Sequence, residues 1–236
     1  MSFSVGNPYQ TNNVNVGGTV ALLEEAKNHE VKRFIYSSSS SIYGKAESLP
    51  VKEADHQPNP LSPYALQKHI GEKYCKMFSN LYGLDTVSLR YFNVFGPKQY
   101  GDSPYSTAIS AWLESLYFPE RKKGFLEGDG TQSRDFCYVD NVVNANILAM
   151  RSKNKFNGET FNVAHGERTS LNDIIEKIEK LTGKKLKLEK RPPRMGDVPH
   201  THADISKAKA HFGYGPAIKF NEGLTKTVEW FESRKI

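Results

Sequence analysis

Arg33-Phe34-Ile35-Tyr36-Ser37-Ser38-Ser39-Ser40-Ser41 is the stretch that decides the fold. Phe34, Ile35 and Tyr36 favour a strand, and the serine run after them reads as its polar end. Downstream, Ser62-Pro63-Tyr64-Ala65-Leu66-Gln67-Lys68 opens a helix predicted over residues 63–82. Pro63 suits a first helical turn, and Gly83 suits the stop. Residues four apart share a helix face, so Tyr64 and Lys68 project the same way. A serine-tipped strand followed by such a helix puts both where α/β sheets hold ligands, at the strand's C-terminal end.

The residue types suggest one chemistry. An ammonium beside a phenol favours the phenolate and lowers its pKa, which would make Tyr64 a base usable near neutral pH. A nearby serine hydroxyl could bond the same substrate oxygen. Together the three suit removal of a proton from an alcohol while a nicotinamide takes the hydride. The pentad alone recurs on many helix surfaces, and serine runs are often plain turns. Their arrangement, not either motif, carries the reading.

Working outward, helix-like and strand-like segments alternate, as in an α/β fold with parallel strands. Residues 12–27 read as one helix with Val16, Val20, Leu23 and Ala26 on its apolar side. Gly17 and Gly18 weaken it, so a close packing partner is expected there. Strands are predicted over 33–37, 86–91 and 160–164, and helices over 108–116, 139–150, 170–181 and 220–234. Residues 44–61 and 92–105 read as loops, Gly128-Asp129-Gly130 as a tight turn, and Ser170 with Asp173 as an imperfect capping box.

Composition narrows the classes. The chain has 236 residues, ordinary hydrophobic and charged fractions, and a net charge of +6. No apolar run approaches the roughly 20 residues of a membrane helix, and the first residues lack the features of a signal peptide. The lysines between 177 and 190 alternate with Glu179 and Glu189, which reads as a solvated face rather than a nucleic-acid stripe. Cys75 and Cys137 are far apart among apolar residues, so buried reduced thiols and a cytoplasmic location are expected. His200 and His202 do not form a zinc spacing, and no metal is expected.

No glycine-rich dinucleotide turn occurs anywhere in the sequence. Such a turn belongs between a first strand and helix. About three strand–helix units, roughly 90 residues, would supply it upstream; the chain is therefore expected to be the C-terminal part of a longer protein.

With these residues in hand, the chain resembles the extended short-chain dehydrogenase/reductases that act on nucleotide sugars. Among them it is most similar to the UDP-hexose 4-epimerases, on the UDP-N-acetylglucosamine branch. The resemblance rests on Ser4-Val5-Gly6, residues 12–19, 37–44 and 62–68, the run Leu89-Arg90-Tyr91-Phe92-Asn93-Val94-Phe95-Gly96-Pro97, residues 128–136, Arg194-Met195-Gly196-Asp197 and residues 203–208. It implies a partial doubly wound parallel (Rossmann-like) sheet over 1–95, with 139–164 returning to it. A smaller C-terminal α/β substrate domain would occupy 96–236.

The resemblance also implies roles. Tyr64 takes the 4-hydroxyl proton of a UDP-sugar while C4 passes hydride to NAD, giving a 4-keto sugar that turns over and is reduced on its other face. Lys68 holds the nicotinamide ribose and lowers the Tyr64 pKa. Ser39 matches the catalytic serine, with Ser40 and Ser41 beside it; local turn bonding is the rival role for Ser41. Asn12, Ser37, Tyr91 and Phe92 would meet the cofactor, with packing the rival role for the two aromatics. Asn93, Arg134 and Arg194 would bind the diphosphate and Asp197 the ribose, with surface ion pairing the rival for the charges. Ser4 would approach the sugar.

Thr201, four residues past Asp197, would leave room for a 2-acetamido group, which points to UDP-GlcNAc and UDP-GalNAc, with UDP-Glc and UDP-Gal as further substrates. The resemblance further implies a homodimer paired through residues 12–27 and 63–82, and a place in surface polysaccharide synthesis. Ser40 and Ser41 stand where related dehydratases carry an acid pair, so dehydration is not expected. A UDP-glucuronate 4-epimerase, or another nucleotide-sugar enzyme of the same fold, is the nearest alternative. An inactive chain serving only in association is the alternative of another class.

Overall fold

The computed structural model describes residues 2–103, 106–193 and 198–234. The chain opens with two short helices, α1 (Ser2–Gly6) and α2 (Pro8–Asn12), and a π-helical turn, Asn13–Gly17, that runs into α3 (Gly18–Asn28). Strand β1 (Phe34–Ser39) follows, then a 3-10 turn (Ser40–Tyr43), α4 (Pro63–Tyr82), β2 (Thr86–Tyr91) and β3 (Val94–Phe95). Next come α5 (Ala108–Tyr117), β4 (Gly124–Glu127), β5 (Ser133–Arg134), β6 (Cys137–Tyr138), α6 (Val139–Arg151) and β7 (Glu159–Val163). The chain ends with β8 (Thr169–Ser170), α7 (Leu171–Thr182), β9 (Leu188–Arg191), α8 (Ser206–Phe212) and α9 (Phe220–Ser233).

Contacts divide the chain into two units. Unit 1 takes Met1–Phe92, Val143–Val163 and Ala203–Gly215; unit 2 takes Asn93–Val142, Ala164–His202 and Pro216–Ile236. The sequence reading places a cut near 95 and one return over 139–164. The structure has a second return, Ala203–Gly215, which carries α8.

Unit 1 is built on a parallel sheet in the order β1-β2-β7. Residues Thr86–Arg90 of the central strand are all buried, as expected for a strand covered on both faces. Helix α4 connects β1 to β2. Ser62 caps its start by accepting from the Ala65 N–H at 3.2 Å, and Gly83 ends it at φ +71°. The helix crosses β1 at Gly71, where an added Cβ would lie 2.2 Å from the Tyr36 hydroxyl oxygen. Leu23, Ala26, Tyr36, Cys75, Phe78 and Leu84 form a core beside this crossing, and each large buried side chain contributes about 1.5–3 kcal/mol.

Two expectations fail near the start. Residues 12–27 are not one α-helix, because the π turn interrupts them. Gly17 and Gly18 have no close neighbour either: a Cβ on either would meet nothing within 4 Å. The glycines sit at the junction where the π turn passes back into α-helix.

Unit 2 packs α5, α7 and α9 around Phe95, Trp112, Leu113, Ile174, Ile178 and Phe231. Ser170 and Asp173 form a complete capping box at the start of α7. The parallel pair β4–β9 was not expected from the sequence; β4 is four residues long and glycine-led, too short for alternation to reveal. Cys75 and Cys137 are both buried thiols, and burial pushes the Cys75 thiol up to about 12. Among the described residues no helix is long and apolar enough to cross a membrane.

Candidate active site

In unit 1 the serine run changes role residue by residue, because successive strand side chains alternate faces. Ser38 points inward, and its hydroxyl donates to Glu72 Oε1 at 2.6 Å. Ser37 and Ser39 face the other way. The Ser37 hydroxyl lies 3.2 Å from the Tyr91 hydroxyl, which in turn donates to Asn146 Oδ1 at 3.0 Å. Ser39 caps the 3-10 turn: its Oγ accepts from the Ser41 N–H at 3.2 Å and from the Ser41 hydroxyl at 2.9 Å. The Ser39 hydroxyl is also near enough to the Tyr64 phenol to lower its pKa.

Tyr64 and Lys68 share the expected face of α4. Lys68 Nζ sits 5.8 Å from the centre of the Tyr64 ring and 5.1 Å from that of Tyr36, and donates to the Ser37 carbonyl at 2.8 Å. The expected drop in the Tyr64 pKa does not appear. Burial raises it above the usual tyrosine value, and the Ser39 hydrogen bond works against that rise. Burial likewise lowers the Lys68 pKa. Both groups are half-buried, and desolvation is the largest cause of each shift.

Beneath these residues lies an ionic network that the sequence reading missed. Arg90, on the central strand, donates to both oxygens of Glu72, at 2.8 and 2.7 Å; each side chain is 4 % exposed. Burial alone would raise the Glu72 pKa, but the Arg90 and His69 hydrogen bonds and the Arg90 charge hold it down at about 2. The Arg90 guanidinium also lies 4.7 Å from the centre of the Tyr43 ring, whose hydroxyl donates to Asn162 Oδ1 at 2.6 Å. Burial, opposed by Arg90, pushes Tyr43 up to about 12. One signal could have found Glu72: it follows Lys68 by four residues, as Lys68 follows Tyr64, so all three line one helix stripe.

The other unit 1 candidates fall as follows. Ser4, expected to approach the sugar, is 3 % exposed and accepts from the Tyr64 N–H at 3.1 Å, so it anchors the start of α4. Phe92, expected along the nicotinamide, is 1 % exposed and packs near Tyr43, which is the packing role. Asn12 is exposed on its segment. The asparagine that ties this segment to α4 is Asn15, which donates to Gln67 Oε1 at 2.8 Å. Ser40 and Ser41 are half-buried in the turn.

Unit 2 gathers a second set. Asn93 Nδ2 donates to the Asp135 carbonyl at 3.1 Å and to Thr201 Oγ1 at 3.2 Å. The same Thr201 oxygen accepts from the Asp135 N–H at 3.1 Å. The Asp135 carboxylate is fully buried and accepts from the His165 and Gly166 N–H groups at 2.9 and 3.2 Å. Arg134 Nη1 donates to the Ser133 and Pro199 carbonyls at 3.0 and 2.9 Å. Asn93, Arg134 and Thr201 are thus brought together, whereas Arg194 and Asp197 lie outside the described residues. His200 bonds Ser133 and His202 bonds the Gly166 carbonyl.

A parallel sheet whose first strand ends in Ser39, with a Y-x-x-x-K helix packed on it, is the frame of a short-chain dehydrogenase/reductase. The model of the NAD dependent epimerase/dehydratase family matches residues 2–164, and the chain belongs to that family. It is 36% identical to a putative UDP-glucose 4-epimerase of Methanocaldococcus jannaschii, over 98% of this chain and 73% of that one. The UDP-N-acetylglucosamine 4-epimerase of Methanobrevibacter ruminantium, solved with UDP-N-acetylmuramic acid, superposes with a TM-score of 0.90 at 38% identity, covering 99% of this chain and 73% of that one. The UDP-glucuronic acid 4-epimerase of Bacillus cereus, solved with UDP-glucuronic acid and NAD, superposes at 0.88 with 34% identity, covering 98% and 71%.

Proposed function

We propose that this chain is a NAD-dependent 4-epimerase of UDP-hexoses, acting on UDP-N-acetylglucosamine and UDP-N-acetylgalactosamine. The observation that carries the reading is the triad at the end of β1: Ser39 near enough to the Tyr64 phenol to lower its pKa, with the Lys68 ammonium 5.8 Å from the centre of that ring. The donor set fits the nicotinamide-ribose half of NAD. Lys68 spends one N–H on the Ser37 carbonyl, and its remaining donors suit ribose hydroxyls. Bound there, NAD would supply reversible hydride acceptance at the sugar C4.

The chain's own residues handle the proton. Tyr64 takes it from the 4-hydroxyl as the hydride leaves and returns it when the sugar is reduced. The Ser39 hydroxyl lowers the Tyr64 pKa, which favours the phenolate. On the substrate side, Asn93 and Arg134 would bind the diphosphate together with Arg194, and Asp197 the ribose. The guanidinium fork suits that task because it is planar and permanently charged.

Thr201 favours the N-acetylated sugars, since a small side chain leaves room for the acetyl group. The likeness to the Bacillus cereus enzyme favours UDP-glucuronate as the second reading. The test incubates the full chain with NAD and each of UDP-GlcNAc, UDP-glucose and UDP-glucuronate, reading the 4-epimer by NMR. Conversion of UDP-GlcNAc is expected. Conversion of UDP-glucuronate alone would favour the second reading, and no conversion with any sugar would favour an association module.

The same reading assigns unit 1 to the cofactor and unit 2 to the nucleotide sugar. It also carries a cytoplasmic homodimer that serves surface polysaccharide synthesis. Leu66, Met77, Leu81 and Tyr82 on α4, with Val14 and Leu22 on the 12–27 segment, are exposed apolar residues that support such a pairing.

A further inference from the structure

The pairing of β4 with β9 collects positive charge. The register sets Gly124 beside Leu188, so Lys123 and Lys187 immediately precede paired positions. Parallel strands start at the same edge. The turn before β4, with Lys122 and Lys123, therefore meets the turn before β9, with Lys184, Lys185 and Lys187. A cleft of about 510 Å³ opens there, lined by all five lysines. That volume lies within the range of small-ligand sites, roughly 300–1,000 Å³. Gly124 is buried at its floor: a Cβ there would lie 2.6 Å from Ser115 Oγ and 2.7 Å from Leu188 Cδ2.

The local acids offset only part of this charge; Glu189 also lines the cleft and feels the Lys123 charge. Glu179 is engaged by Lys185 at 2.6 Å, and Glu189 by Arg191 at 3.2 Å. Among the described residues no carboxylate lies within ion-pair distance of Lys122, Lys123, Lys184 or Lys187. The Lys184 ammonium rests instead 4.4 Å from the centre of the Tyr117 ring. The lysines of the two turns are gathered at one edge of the strand pair, and like charges so gathered repel. A ligand of opposite charge removes that repulsion.

We propose that the lysine cleft at the β4–β9 edge binds a compact oligophosphate: the triphosphate of a nucleotide or a short inorganic polyphosphate. Its lining residues include none of those assigned to the nucleotide sugar. Ammonium groups on flexible stems suit clustered phosphate oxygens as point charges. The cleft is short, and its uncharged walls are Leu116 and Pro119 rather than stacking aromatics, which disfavours a nucleic-acid strand.

The test titrates the full chain with inorganic tripolyphosphate by calorimetry, with saturating UDP present to fill the nucleotide-sugar site. One tripolyphosphate per chain is expected to bind despite the UDP. The exposed double variant Lys123→Gln/Lys187→Gln should bind at least about tenfold more weakly, or about 1.4 kcal/mol, with an unchanged melting temperature. An ATP arm separates the sources: tighter binding of ATP than of tripolyphosphate points to a nucleotide, and equal binding to the inorganic chain. The proposal is overturned if UDP abolishes binding, if the double variant binds like the parent, or if mixed-sequence duplex DNA binds more tightly than tripolyphosphate.

Discussion

Unit 1 and unit 2 hold their candidate groups by opposite means. In unit 1, the helix that presents Tyr64 and Lys68 is tied to the sheet by a buried ion pair, Glu72 with Arg90, both 4 % exposed. In unit 2, Asn93 donates to a main-chain carbonyl and to the Thr201 hydroxyl, and Arg134 donates to two main-chain carbonyls among its bonds. The difference follows the task. On the proposed reading, a residue that gives and takes a proton has its pKa set by burial; the Glu72 carboxylate beneath it is well bonded, while Arg90 Nη1 and the Tyr36 hydroxyl are buried with no hydrogen-bond partner among the described residues.

The largest effect should come from the proton-transfer group itself. Tyr64→Phe removes the base and leaves the ring, so turnover of the preferred sugar should fall about 10²–10⁴-fold. The melting curve should barely move. An undiminished rate in the NMR assay would break the contrast at its root, because unit 1 would then hold no base.

Glu72→Gln tests the anchor. It strands the buried Arg90 guanidinium without its counter-charge, and breaking such a pair costs about 3–5 kcal/mol of stability. The pH dependence has a definite sign. The Glu72 pKa is held at about 2 against an ordinary 4.5, so its contribution is present above 4.5 and is lost as pH falls towards 2. Acid titration of stability should therefore be steeper across that window in the parent than in the variant. Equal slopes would show that the pair is no anchor.

Ser39→Ala should act through ionisation. Its hydrogen bond lowers a Tyr64 pKa that burial raises, so removing it leaves the phenol harder to ionise. A base must be deprotonated to act. The acid limb of the kcat profile should thus move to higher pH, with about tenfold lower activity on that limb and partial recovery above it. A uniform loss at every pH would assign Ser39 to binding instead.

The frame of unit 1 was legible in the sequence because its signals are local. Helix α4 was bounded by Ser62, Pro63 and Gly83, and β2 by its run of strand-favouring residues, so both carry their own start and stop. The bond from Ser39 to Tyr64 and the Arg90–Glu72 pair were not legible, because each depends on which face of a strand meets which turn of a helix. The depressed Tyr64 pKa was inferred from charge alone, and burial, a tertiary quantity, reversed it. In unit 2, Asn93 and Arg134 stood out through family motifs. Asp135 did not, because a buried carboxylate that clamps the His165 and Gly166 N–H groups looks like any loop aspartate until those backbone groups are placed.

The smallest effect separates two roles that Thr201 combines. Its hydroxyl accepts from Asn93 and from the Asp135 main chain, so it is a fastener as well as a small residue. Thr201→Val keeps the size and removes the acceptor; a hydrogen bond of this kind is worth about 0.5–1.5 kcal/mol. KM should rise a few-fold on every UDP-sugar with kcat nearly constant, the signature of lost uniform binding. Thr201→Tyr removes the acceptor and also fills space. If room for the acetyl group is what Thr201 supplies, the tyrosine variant loses UDP-GlcNAc turnover well beyond the valine variant and matches it on UDP-glucose. Equal losses on both sugars would mean that Thr201 only fastens Asn93, and that sugar choice is set elsewhere in unit 2.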